Sequence, residues 1–390
     1  MFLSYVYKYF NQLQSTKHTH FFEHIAISLK GLFINFLNMI GLEDVYKVVA
    51  ATVPLYVALL LGYGSVRWWH IFTHEQCDAI NRFVCFFTLP LFTFEFTAHI
   101  DPFNMNYRFI GADVISKVII VTVLAFWARF SSKGSCSWSI TCYSLSTLTN
   151  SLVVGVPLVR AMYGQEFVNL VVQGSVIQAI VWLTALLFVL ECRRSVMNVC
   201  SVNATEFKDL EGNLKSDVEQ AVVAKSSLVS LMKVVLLKLA MNPNSYSCVI
   251  GIVWATISNR FNWPMPDMIE GSVLIMSKAG TGTAMFSMGL FMAKQEKLIA
   301  CGTSLTMLAI VLKFFAGPAT MAISCIAVGL HGDVLRVAII QSAIPQSITS
   351  FIYAKEYGLH PDVLSTAVVI GMIVTLPIMV GFYAVLEFLH

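Results

Sequence analysis

The chain has 390 residues, 57% of them hydrophobic and only 12% charged, with a mean hydropathy of +0.73. Soluble domains carry about a quarter charged residues, so this composition excludes a soluble protein and defines a membrane protein. A net charge of +3 is too small and too dispersed to attract nucleic acid.

Residues 1–38 join an aromatic, basic start to an apolar patch, Ile25–Ile40, that Lys30 interrupts. The order of basic, apolar and small residues that marks a signal peptide is missing, and the patch is too interrupted for a span. The N-terminal extension, residues 1–43, reads either as an interfacial amphipathic segment or as translation from an upstream start, with Met39 beginning the working protein. The second reading fits better.

Stretches of about 20 apolar residues then mark ten helices. Five lie near residues 45–66, 79–99, 108–129, 137–160 and 166–191, and five near 242–259, 268–292, 298–329, 334–355 and 361–388. Between them Arg193–Lys238 is polar and reads as a short solvated, flexible cytosolic loop. The nine cysteines are scattered and odd in number, which gives no disulfide or zinc framework. His70, His74, Cys77 and Asp78 lack the tight spacing of a metal site, and no cofactor motif is present.

Residues 44–192 and 242–390 are each 149 long, which calls for a repeat test. Tyr163-Gly164 aligns with Tyr357-Gly358 at an offset of 194. That offset carries Asn150-Ser151, inside "STLTNSLVVGVPL", onto Ile344-Pro345, inside "QSAIPQSITSF". Small polar residues and a proline therefore interrupt corresponding helices in both halves. Membrane helices tolerate such kinks for packing alone, but a matched pair is the best sequence pointer to a transporter's binding site. With the central loop in the cytosol, that face carries fourteen Lys and Arg residues and the opposite face five, as the positive-inside rule requires. An odd number of spans per half then inverts the second half relative to the first.

Ionisable residues inside spans are functional by default. Asp113 and Lys117 lie four apart, on one helix face, and read either as a neutralised structural pair or as a charge pair beside the transport site whose balance shifts with substrate or proton. Lys313 takes nearly the equivalent place in the second half without a nearby carboxylate; Glu95 and Lys278 are the other mid-span charges. Where two helices break at mid-membrane, unpaired backbone N–H groups and half-helix N-termini favour an anion. Asn150 offers an amide donor there, Gln178 reaches the same cavity, and aromatic and aliphatic walls would hold a ring. The residues alone point to a small organic anion with a hydrophobic body.

The runs "VYKVVAATVPLYVALLLGYGS", "TLPLFTFEFTA", "LTNSLVVGVPL", "NPNSYSCVIGIVWA", "GTAMFSMGLFMA" and "IPQSITSFIYAKEYGLHPDVLSTAVVIGM" resemble the PIN-FORMED auxin efflux carriers of plants over about residues 42–390. The short central loop resembles the subgroup of the endoplasmic reticulum. The resemblance implies an all-α membrane protein with ten transmembrane helices in two inverted five-helix repeats. It also implies crossed, broken helices four and nine, a scaffold and a transport domain that moves like an elevator, and a homodimer in lipid. The implied substrate is the indole-3-acetate anion or a related small aromatic carboxylate, with no cofactor or metal. Matched residue by residue, Asn150 is the crossover asparagine, Thr93 a small hydroxyl lining the site and Gln178 a site glutamine. Pro345, Gln346 and Ile348 belong to the second crossover, and Asp113 with Lys117 form the supporting polar site. One position departs: Thr149 stands where the family has proline, so helix four must unwind without it. The alternative is a cation-coupled organic-anion symporter of the bile-acid-carrier type. It would want carboxylates at the crossover, where Thr149, Asn150 and Gln346 are neutral. Enzyme motifs such as G-x-S-x-G and H-E-x-x-H are missing, and "GTGTA" (Gly280–Ala284) reads as helix packing.

Overall fold

A computed structural model describes residues 42–131, 134–206, 232–238, 240–295, 297 and 299–388. Most of the N-terminal extension and most of the central polar run lie outside these. The described residues are helical throughout, joined by turns and short extended links, with no strand beyond one isolated bridge. In chain order the helices are α1 (Leu42–Arg67), α2 (His74–Ala98), α3 (Tyr107–Phe130), α4 (Cys136–Thr147) and α5 (Ser151–Tyr163). Next, α6 runs as Val168–Ile177, a wider turn Gln178–Trp182, and Leu183–Glu206. Then come α7 (Pro243–Phe261), α8 (Asp267–Lys294), α9 (Thr303–Val328), α10 (Gly332–Ala343), α11 (Ile348–Tyr357) and α12 (Pro361–Phe388).

Six of the described helices are long and apolar enough to cross a membrane. Their outward faces keep large apolar side chains in the open: Ile275 is 73% exposed, Phe126 64% and Ile326 65%. Water would penalise such a surface, whereas hydrocarbon solvates it. Polar groups are buried inside instead, among them Lys117, Lys313, Gln346 and Ser350. The sequence reading of Arg193–Lys238 as loop needs one correction, because α6 continues through Glu206 and residues 232–238 are helical. Charge ends a membrane span, but it does not end a helix in water, where Arg, Glu and Met are good helix formers.

Proline shapes the spans. A turn of π-helix at Val84–Thr88, Ser151–Gly155 and Leu312–Ala316 each precedes a helix with proline at its second residue: Pro90, Pro157 and Pro318. Proline has no N–H to return to the carbonyl four residues back. The residue before it bonds five back instead, as Leu89 does to Val84, Val156 to Ser151 and Gly317 to Leu312. The fourth such turn, Gln178–Trp182, contains no proline; π-turns of that kind gather at functional sites.

The helices α1, α2, α7 and α8 pack on one another, α1 against α8 most extensively. On the other side α9 packs on α3 and α10, and α11 on α12. Small residues let α1 and α8 touch backbone to backbone. A Cβ on Gly289 would lie 2.0 Å from the Leu59 carbonyl oxygen, and one on Gly62 would lie 2.1 Å from that of Phe286. Neither obstacle is a movable side chain. Gly289→Ala is therefore expected to push the helices apart and cost about 1–3 kcal/mol, read as a lower melting temperature of the detergent-solubilised protein. An unchanged melting temperature would show that this seam is loose.

Charged residues at the helix ends meet one another. Arg67 donates to the Gln295 carbonyl at 2.8 Å and Lys294 pairs with Asp78 at 2.5 Å. Lys238 contacts Glu191 at 2.7 Å, Glu356 at 2.6 Å and the Tyr357 hydroxyl. Burial lowers the pKa of Lys238, but Glu191, Glu356 and Tyr357 more than offset this and hold the ammonium above the usual lysine range.

Candidate functional site: two helix breaks that pair

The chain leaves helix at Leu148–Asn150 and again at Ile344–Ser347, and the two extended links cross. Thr149 and Gln346 form an antiparallel bridge. Asn150 N–H donates to the Pro345 carbonyl at 2.9 Å, and Ser347 N–H reaches the Leu148 carbonyl at 3.4 Å. Backbone groups that each break would leave orphaned in an apolar interior thereby satisfy one another.

The second break has a local cause. Pro345 disfavours helix at Ile344, which takes ψ 143°, and the Ser347 side chain caps α11 by accepting from Thr349 N–H. The first break has no proline, and distant side chains open it. The Gln178 carboxamide lies along Thr149 like a third strand: its Oε1 accepts from Thr149 N–H at 3.0 Å and its Nε2 donates to the Thr149 carbonyl at 2.8 Å. The Thr149 hydroxyl also donates to Gln178 Oε1, at 3.1 Å. Neither bond to Oε1 would be available from proline, so Thr149 replaces a steric break with a hydrogen-bonded one. Lys313 Nζ donates to the Leu148 carbonyl at 3.1 Å. Gln346 Nε2 donates to the Ser144 carbonyl at 2.8 Å and to the Ser350 hydroxyl at 2.7 Å.

Beside the crossing, Lys117 Nζ donates to both Asp113 oxygens at 2.6 and 2.7 Å. Trp182 Nε1–H adds a third bond to Asp113 at 3.0 Å, and Lys117 Nζ stands 5.0 Å above the Trp182 ring. Asp113, Lys117, Thr149, Gln178 and Gln341 line one cavity of about 30 Å³, room for water but not for a two-ring carboxylate. Gln341 Oε1 is buried there without a partner.

The sequence reading puts Gln178 and Asn150 in the same cavity. The structure separates them: Gln178 lines the Asp113 cavity and is occupied by Thr149, while Asn150 is not among its lining residues. The Asn150 side chain caps nothing and has no hydrogen-bond partner among the described residues. Its neighbours Leu152, Val153 and Val154 join Ile344, Ile348 and Phe92 in a single apolar cluster, which Leu55 and Met288 continue into α1 and α8. Thr93, next to Phe92, donates its hydroxyl to Asn244 on α7, so it faces a different partner from the crossing residues. Of the other charges, Lys278 is exposed, and Glu95 lies 3.7 Å from His99. The reading from residues passes over Trp182 and Gln341. The signal available was spacing: Trp182 follows Gln178 by four and Gln341 precedes Pro345 by four, one helical turn each.

Buried polar residues around two crossed helix breaks, inside a shell of helices with apolar outer faces, fit a membrane transporter. Residues 47–383 match the family described as Membrane transport protein. The chain is 68% identical over 353 residues to auxin efflux carrier component 5 of Arabidopsis thaliana, covering 90% of this chain and all of that protein. It is 65% identical over 363 residues to probable auxin efflux carrier component 5a of Oryza sativa subsp. japonica, and 40% identical over 366 residues to component 8 of Arabidopsis thaliana, with the same coverage. The chain belongs to this membrane transport family and, within it, to the short-loop PIN-FORMED auxin efflux carriers.

Proposed function

We propose that the chain is a carrier of the indole-3-acetate anion that works by elevator-type alternating access. The observation that carries this reading is the Asn150 amide, half-buried at the crossing and without a protein partner. A carboxylate there would accept from the amide and from the positive end of α5, while its ring would rest on Phe92, Val153 and Ile348. The printed names of the relatives supply the substrate class. Pro345 and Gln346 would shape the same site through the backbone, Thr93 would line its α2 wall, and Asp113 with Lys117 would support it from behind.

The architecture in this proposal is ten membrane segments in two inverted five-helix repeats, with α4–α5 and α10–α11 as the two broken spans. The moving unit would be α3–α6 with α9–α12, sliding on α1, α2, α7 and α8, and the apolar cluster beside Asn150 lies at that seam. The cavity behind Asn150 is small, so substrate entry would require the seam to open. The protein would act as a homodimer in the endoplasmic-reticulum membrane and control auxin distribution between reticulum and cytosol, a reading supported by the short central run.

Uptake of labelled indole-3-acetate into proteoliposomes tests this. Saturable uptake, independent of sodium and competed by unlabelled substrate, is expected. Uptake no faster than in protein-free liposomes would refute it, and strict sodium dependence would favour a cation-coupled symporter.

A further inference from the structure

Lys313 is buried to 2% exposure, and no carboxylate lies within ion-pair distance of it among the described residues. Its counterpart Lys117 donates two bonds to Asp113. Asp113 stands four residues before Lys117, whereas the residue four before Lys313 is Ala309, itself buried. A lysine taken out of water without a counter-charge is costly and in a membrane segment marks function.

Holding backbone needs a donor there but not a charge. The Leu148 carbonyl that Lys313 touches already faces Ser347 N–H across the crossing. The position is also closely held. Lys313 sits in the π-turn Leu312–Ala316, and the first residue after that turn, Gly317, lies so near α4 that a Cβ there would be 2.5 Å from the Ser146 carbonyl oxygen. The Lys313 ammonium lies 3.1 Å from the Leu148 carbonyl, and Leu148 and Asn150 are two residues apart, about 7 Å of extended chain, which puts the charge within about 10 Å of Asn150. Over such a distance in a protein interior one charge changes the affinity for another by about tenfold or more.

We propose that the transported carboxylate is the missing counter-ion of Lys313, so that this lysine, through its charge and not its carbonyl bond, selects anions at the Asn150 site. The inference rests on the carrier reading above and adds a specificity-determining residue to it.

The test compares binding of indole-3-acetate with its uncharged amide, indole-3-acetamide, to purified wild type, Lys313→Gln, Lys313→Met and Lys313→Arg. Loss of the charge should weaken the acid about tenfold or more and the amide less than twofold, while Lys313→Arg stays within about threefold of wild type for both. A purely structural lysine would affect acid and amide alike; that result, or no change for either, overturns the proposal. Should the neutral variants not fold, wild type can still overturn the inference: equal affinity for acid and amide does so and leaves the carrier reading intact. No binding of either ligand by wild type overturns both.

Discussion

Asp113→Asn is expected to destabilise the folded protein by about 3–5 kcal/mol, the cost of stranding a buried charge by removing its partner. Lys117 would keep its ammonium 8% exposed, beside Trp182, with the carboxylate gone. Trp182 Nε1–H, bonded to Asp113 at 3.0 Å, could still donate to the new amide oxygen, so the loss belongs to the charge and not to the shape. Removing both partners, Asp113→Asn with Lys117→Met, should recover much of the stability, since a neutral pair of similar volume leaves no stranded ion. Transport should follow the same order, with the single variant worse than the double. Thermal melting in detergent and uptake by Asp113→Asn, Lys117→Met and the double variant make the cycle. A double variant no better than the worse single would show that the two residues act separately.

Asn150→Ala is expected to weaken indole-3-acetate binding about tenfold or more, from the loss of one charge-assisted hydrogen bond of about 1.5–3 kcal/mol. Its effect on folding should be small, because the Asn150 side chain caps no helix end and the crossing uses only its backbone, N–H to Pro345 and carbonyl to Val154. Yield and melting temperature should hardly move. Both quantities are measured on the same purified variant. Normal affinity with a large fall in melting temperature would assign Asn150 to the scaffold of the break and remove it from substrate recognition.

Much of this protein is legible in its sequence because the bilayer demands it. Continuous apolar runs near 20 residues have few alternatives to helix; most helices begin and end within a few residues of where those runs do, and α6 alone continues well past its run, to Glu206. The break at Pro345 is equally local, since proline acts on its own neighbours whatever surrounds them. The charge pair is readable from a spacing of four on one helix. The family motifs, which extend over about residues 42–390, add a substrate class that no spacing could supply.

The break at Leu148–Asn150 is different. Thr149 has no intrinsic reason to leave a helix; it does so because Gln178, 29 residues on, takes both its N–H and its carbonyl. Lys313 and the second broken link then hold the carbonyl of Leu148. The same contacts divide the site, committing Gln178 to the backbone and leaving Asn150 without a protein partner. Composition and periodicity determined that the chain is a bundle of membrane helices with two polar interruptions, because solvent and backbone sterics act locally. Which amides are taken up by the protein and which are left without a protein partner was decided only by tertiary structure, because each hydrogen bond depends on where a residue far along the chain arrives.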